Sequence, residues 1–287
     1  MNNTNSITTL GLIAALSLSA SAIADDNQVH DADPRNTSWR GGIAADQNGE
    51  LKLVAGGGFN NLYGNGEYQT QTIMIGEYFT QSENFRFRLA NFDERFGGVY
   101  ADVNLTDPVN LYTAGYMLPL TATNNVTSFF PSVNYTYIDF DTNGIASDLN
   151  AGFIQAPVQM NGYATGSNQT FAFNSMNISG SDVKDMLGGS DAHMASVNLY
   201  ALQPWNDTHY TVFQAFAGST YGGVDMQMVD LVLLQGTRTK LGDAILNIYV
   251  EAKYTHVQLN DVNNPMSENG YLRGEDTKIS VGFDWRF

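Results

Sequence analysis

The sequence predicts an all-β protein, a transmembrane antiparallel up-and-down barrel of about 12 strands within a range of roughly 10 to 14. Three observations carry this. The segment 277–287 alternates strictly, with Ile279, Val281, Phe283, Trp285 and Phe287 on one face and small or polar residues on the other. Asn-Gly, the strongest short hairpin signal because both residues tolerate positive φ, occurs five times, at Asn48, Asn65, Asn143, Asn161 and Asn269. Beyond the N-terminal region no stretch supplies the roughly 18 uninterrupted apolar residues of a membrane helix.

The chain opens with an apolar run, Leu10 to Leu18, followed by Ser-Ala-Ser-Ala-Ile-Ala, so that Ala22 and Ala24 offer small residues at both cleavage subsites before Asp25. Residues 1–24 are therefore expected to be a secretory signal peptide, although Met1 to Thr9 contain no Lys or Arg. Residues 25–37, polar and with Pro34, read as a flexible N-terminal lead, and 38–287 as one barrel domain. With no Cys in 287 residues, disulfides and a lipid-anchored cysteine play no part.

Candidate strands cover 38–46, 49–59, 67–80, 84–92, 98–106, 109–120, 127–140, 145–160, 168–179, 192–203, 208–218, 224–236, 242–258 and 277–287. They form a meander of hairpins. Composition agrees: mean hydropathy is -0.21 and charged residues are 15%, against about 25% in soluble domains. A wall facing lipid, and a lumen using Asn, Ser, Thr and Gln, needs few charges. The 34 aromatics, 16 Phe, 15 Tyr and 3 Trp, point the same way.

The last strand, ending on Phe287, resembles the C-terminal assembly signal of Gram-negative outer-membrane barrel proteins. That resemblance implies recognition by the barrel-assembly machinery and residence in the outer membrane among lipid and lipopolysaccharide. Counting strands back from a periplasmic C-terminus puts the Gln258-to-Glu275 connection outside, Gln235-to-Gly242 inside and Ser179-to-Asp191 outside. The 105–110 turn looks like a short inner one, yet the count puts it outside.

Alternation also assigns faces. Phe85, Phe87 and Leu89 face lipid, which turns Arg86 and Arg88 into the lumen, and the same logic sends Lys52, Asp102, Glu251, Lys253, Lys278, Asp284 and Arg286 inward. The expected interior is mixed in charge and slightly basic, and a register that opposes Arg88 to Asp102 is feasible. The formal net charge of -16 must then lie in connections, with Asp182, Asp185 and Asp191 in one and Asp261, Glu268, Glu275 and Asp276 in another. An acidic mouth would favour cations over about one Debye length, near 10 Å at 0.1 M salt, and could hold divalent cations.

Chemical motifs are sparse. Asp207-Thr208-His209 is similar to the Asp-x-His element of the omptin outer-membrane proteases, and Asp139-Phe140-Asp141 has the matching Asp-x-Asp form. The similarity covers a few residues, and the strand count puts Pro204 to His209 in an inner turn. His193, near Ser196, lacks the sequence context of outer-membrane phospholipases. His30 falls in the lead, and His256 on the outward register. Asp139-Phe140-Asp141-Thr142-Asn143-Gly144 matches the first half of an EF-hand loop, but its twelfth position is Asn150, so Asn143-Gly144 reads as a hairpin turn. No enzyme, cofactor, resident metal or nucleic-acid partner is expected. The expectation is a porin-like channel for small hydrophilic solutes with mild cation preference. The alternative is a non-conducting structural or surface-interaction barrel working through acidic loops.

Overall fold

The computed structural model describes residues 29–63, 67–124, 126–151, 178–242, 244–260 and 272–286. The expected signal peptide, the start of the lead, the Asn-Gly pairs at Asn65, Asn161 and Asn269, the acids Asp261 and Glu268, and Phe287 lie outside these residues.

Six strands lead from the N-terminus: β1 (Arg40–Asp46), β2 (Leu51–Asn60), β3 (Thr70–Phe79), β4 (Phe85–Asp93), β5 (Gly97–Thr106) and β6 (Val109–Met117). A two-residue strand β7 (Leu120–Thr121) precedes β8 (Ser128–Phe140), and helices α1 (Thr142–Ala151) and α2 (Gly180–Leu187) lead to β9 (Asp191–Pro204). Strands β10 (His209–Gly223), β11 (Met226–Leu241), β12 (Ala244–Leu259) and β13 (Leu272–Arg286) follow. Each strand pairs antiparallel with its neighbour, β6 pairs with β8, and β1 pairs with β13, so twelve strands close a ring to which β7 adds a short rider on β8. Closure leaves no free edge along the paired length of the ring, as lipid demands.

Alternation along the strands sorts the faces. Phe87, Leu89, Val99, Val133, Val197, Leu233, Val250, Ile279, Val281 and Phe283 lie exposed on the outside, whereas their strand neighbours turn inward. Trp285 shares that outer face and packs against Phe283 at 5.8 Å between ring centres. The Asn48-Gly49 turn forms as expected, with Gly49 at φ +82°.

The stretch read as a strand over 145–160 begins instead as helix α1, and Asn143-Gly144 is a helix start, not a hairpin turn. Asp141 explains this: its Oδ1 accepts from the backbone N–H of Asn143 and Gly144, both at 3.1 Å, as a helix-capping carboxylate does. Helix α2, in the stretch read as an outer loop, is capped reciprocally by Ser179 and Asp182 and closed by Gly188 at φ +75°. The Asn150 side chain ties the helices by bonding both backbone groups of Ile178. β13 starts at Leu272, so Glu275 and Asp276 belong to a strand and not to the loop assigned to them.

We call the end that holds Arg40 and Arg286 proximal, and the other distal. The 141–190 and 260–271 connections are distal and the 242–243 turn proximal, matching the expected alternation. The two-residue turn at 107–108 is also distal, so its brevity did not mark an inner turn. The wall is uneven at the β13–β1 seam, because Asp46 of β1 pairs with Ser280 and β13 continues distally to Leu272. Gln47 sits at that step. Its side chain accepts from Ile279 N–H at 2.6 Å and donates to the Thr277 carbonyl at 3.1 Å.

Candidate functional site: a charged lumen capped at both ends

Inside the ring is a cavity of about 410 Å³. Six acids line it, Asp33, Glu77, Asp102, Asp230, Glu251 and Asp284, together with six bases, Arg40, Lys52, Arg86, Arg88, Lys253 and Arg286. Eight of the nine inward residues expected from alternation are among these; the ninth, Lys278, lines a smaller adjoining cavity with Asp46 and Glu50. Alternation missed Asp33, Arg40, Glu77 and Asp230. The slightly basic interior is therefore corrected to a balanced one.

The charges are paired. Arg88 and Asp102 are register partners on β4 and β5, but the ion pair runs diagonally: Arg86 Nε and Nη2 hold Asp102, the shortest contact being 2.5 Å. Arg88 turns to Glu77 on β3 at 3.0 Å. Lys253 meets Asp230 at 3.4 Å, Lys52 approaches Glu251 at 3.9 Å, and Arg286 Nε donates to Asp284 at 3.2 Å. Lys278 lies 3.2 Å from Asp46 and 3.3 Å from Glu50.

The remaining lining is more apolar than a lumen of Asn, Ser, Thr and Gln would be, since Ile73, Ile75, Phe79, Phe92, Met194, Val212 and Met228 also face the cavity. Glu77 follows Ile73 and Ile75 on the inward register of β3, so no polar-apolar contrast marks that face in the sequence.

The proximal end is narrowed by residues read as a flexible lead. Over 29–37 the chain turns into the lumen, with Asp33 N–H donating to His30 O at 2.8 Å and Asn36 N–H to Asp33 O at 3.0 Å. Asp31, Asp33 and Asn36 are buried. Asp31 pairs with Arg238 of β11 at 2.9 Å, Tyr200 of β9 donates to the Ala32 carbonyl, and the Arg35 guanidinium lies 5.3 Å from the Phe130 ring centre. The His30 ring meets Tyr210 edge-on at 4.9 Å, and burial holds its pKa below the ordinary imidazole value. Composition could not reveal these anchors, because each needs a partner from a strand far along the chain.

The distal mouth is filled on one side. Ile145 and Ala146 of α1 and Val183 and Leu187 of α2 are buried with Val109, Ile138, Met194, Met226 and Leu259 of the wall and Val224 of the β10–β11 turn. Carboxylates gather at this end: Asp107 and Asp225 lie in turns, Asp148 and Asp185 on the helices, and Asp191 at the strand start. Burial, then Asp107, raise the Asp148 pKa. Asp182, also expected at the mouth, serves as the α2 cap, and its bonds to Ser179 lower its pKa.

The motifs weighed for catalysis are separated. Asp207 and His209 sit at the proximal turn between β9 and β10, whereas Asp139 and Asp141 sit at the distal end of β8, a strand whose 13 residues extend roughly 40 Å. They cannot share a substrate. His193 lies on the outer face, bonded to Tyr135 at 2.7 Å with Asp191 at 3.6 Å. His256, on the outward register, faces Glu275 at 3.4 Å. Among the described residues no group of three or more His, Asp and Glu side chains could hold a metal ion.

A closed ring of an even number of antiparallel strands, apolar outside and charged within, is the architecture of outer-membrane β-barrel proteins. This chain has that architecture. No protein-family model matches it, and no curated protein does. Among solved structures it is similar to a NanC porin, at 9% identity over 87% of this chain and 99% of that one, with a TM-score of 0.43. It is also similar to the β domain of the Bordetella autotransporter BrkA (10% identity, 87% and 96%, TM-score 0.27) and to a Rhodopseudomonas blastica porin variant (11% identity, 87% and 98%, TM-score 0.17).

Proposed function

We propose that the protein is a porin-like channel of the Gram-negative outer membrane, through which small hydrophilic solutes diffuse passively with no catalytic step. The observation that supports this is the 410 Å³ cavity within the ring, lined by six acids and six bases. A barrel with only a structural role has no need of so many inward-facing charges, since an apolar filling avoids their desolvation. Because the lumen is balanced, mild cation preference would come from the acidic distal mouth. Lipopolysaccharide phosphates, bridged there by divalent cations, and the barrel-assembly machinery are the partners this reading implies.

The two caps favour a second reading, a non-conducting barrel that works through its distal surface. Segment 29–37 and helices α1 and α2 both narrow the path. Single-channel recording of the refolded protein in planar bilayers at two salt gradients separates the readings. Discrete, cation-preferring steps are expected. A folded barrel that stays electrically silent would exclude the channel and leave the distal surface as the working part.

A further inference from the structure

Three arginines on the lumenal wall share one register row. Reading across the sheet, Arg88 of β4 pairs with Ile75, Ile75 with Gly56, Gly56 with Arg40, and Arg40 with Arg286 of β13. All three arginines line the cavity. Gly56 stands between Arg88 and Arg40 because a side chain there would collide with Met74 O at 2.6 Å. The row is bare at that point.

The nearby acids engage only part of this row. Asp284 takes Arg286 Nε, and Glu77 takes Arg88 Nη2 while also serving Arg86. Arg286 Nη1 and Arg88 Nε are buried and have no hydrogen-bond partner, and the Arg286 side chain is only 5% exposed. Buried donors on charged groups are costly to leave unmade. Their presence on two members of one row, both lining one cavity, marks a site shaped for an acceptor from outside the chain.

We propose that Arg40, Arg88 and Arg286 form a subsite for the carboxylate of a small organic solute. The guanidinium is a planar fork that matches a carboxylate through two parallel N–H···O bonds. The cavity falls in the lower part of the roughly 300–1,000 Å³ range of small-molecule sites, and Tyr200, Tyr249 and Phe92 supply ring surfaces for the body of the solute. The subsite rests on the channel reading and deepens it.

The test uses the folded protein with succinate, its neutral isostere succinamide, and inorganic phosphate. Saturable succinate binding by calorimetry is expected, with succinamide at least about tenfold weaker, as loss of charge-assisted bonds implies. Arg40→Gln and Arg286→Gln are expected to weaken succinate by about tenfold or more with heat-modifiable migration retained. Arg88→Lys, which keeps the charge and loses the fork, does the same and covers the case in which the Gln variants do not fold. Equal binding of succinate and succinamide, or displacement of succinate by an equal concentration of phosphate, would overturn the carboxylate assignment. Liposome swelling separates the two proposals. Succinamide entry without succinate binding sinks the subsite alone, succinate binding without entry of either solute sinks the channel alone, and neither binding nor entry sinks both.

Discussion

Asp31 and Arg238 meet at 2.9 Å across more than 200 residues of chain, with the Asp31 side chain only 3% exposed. The contact fastens a short N-terminal segment to the proximal wall and makes that segment part of the lumen. Replacing Arg238 with Gln leaves a buried carboxylate without its cation, which costs about 3–5 kcal/mol against docking. The expected result is larger unitary conductance together with faster proteolysis at Arg35. Unchanged conductance with the segment still protected would show that Asp31 is not its anchor.

Acid should loosen the same segment through His30. Burial, the largest influence, lowers its pKa; Arg238 and Arg286 act in the same direction and Asp31 and Asp33 oppose them. Because the docked imidazole titrates below the free value of 6.5, its contribution to docking is complete above pH 6.5 and is lost as pH falls through the docked value. Conductance recorded from pH 8 to pH 5 is expected to rise on the acid side in the native protein and to flatten in His30→Gln. An identical rise in that variant would assign the effect to another group.

Arg86→Ala removes the partner of Asp102 and one of the cations near Glu77. The lumen becomes one charge more negative, so the reversal potential in a salt gradient should move toward stronger cation preference, with folding weakened by about 1–3 kcal/mol. Asp102→Asn should move it the other way. Parallel shifts in both variants would mean that the pair does not govern the ion path.

Val281 lies midway along β13 and is 56% exposed on the outer face. Val281→Arg is expected to cost about 2–4 kcal/mol in refolding titrations into lipid vesicles, the amount a cation meets near the bilayer midplane. A cost near zero would mean that this face does not contact lipid.

The barrel and the inward placement of Arg86, Arg88 and Asp102 were legible because period-two alternation with apolar outer neighbours is a local signal. Glu77 and Asp230 were hidden by the apolar residues that share their inward faces. The ion pairs were harder still, for register opposes Arg88 to Asp102 while side-chain reach selects Arg86. Helix α1 was misread because Asn143-Gly144 serves a hairpin or a helix start equally well, and Asp141, two residues earlier, decides between them.

The step in the wall at Gln47 has a consequence for how the molecule behaves among its own kind. Distal to Ser280, β13 has no strand beside it on the β1 side among the described residues, and an unpaired ladder is a template for recruiting a foreign strand. Gln47 answers with its amide, which imitates a peptide group by taking Ile279 N–H and covering Thr277 O. One side chain thus serves as a stopper on the ladder, and Gln47→Ala would leave those two groups open to a neighbouring barrel's strand.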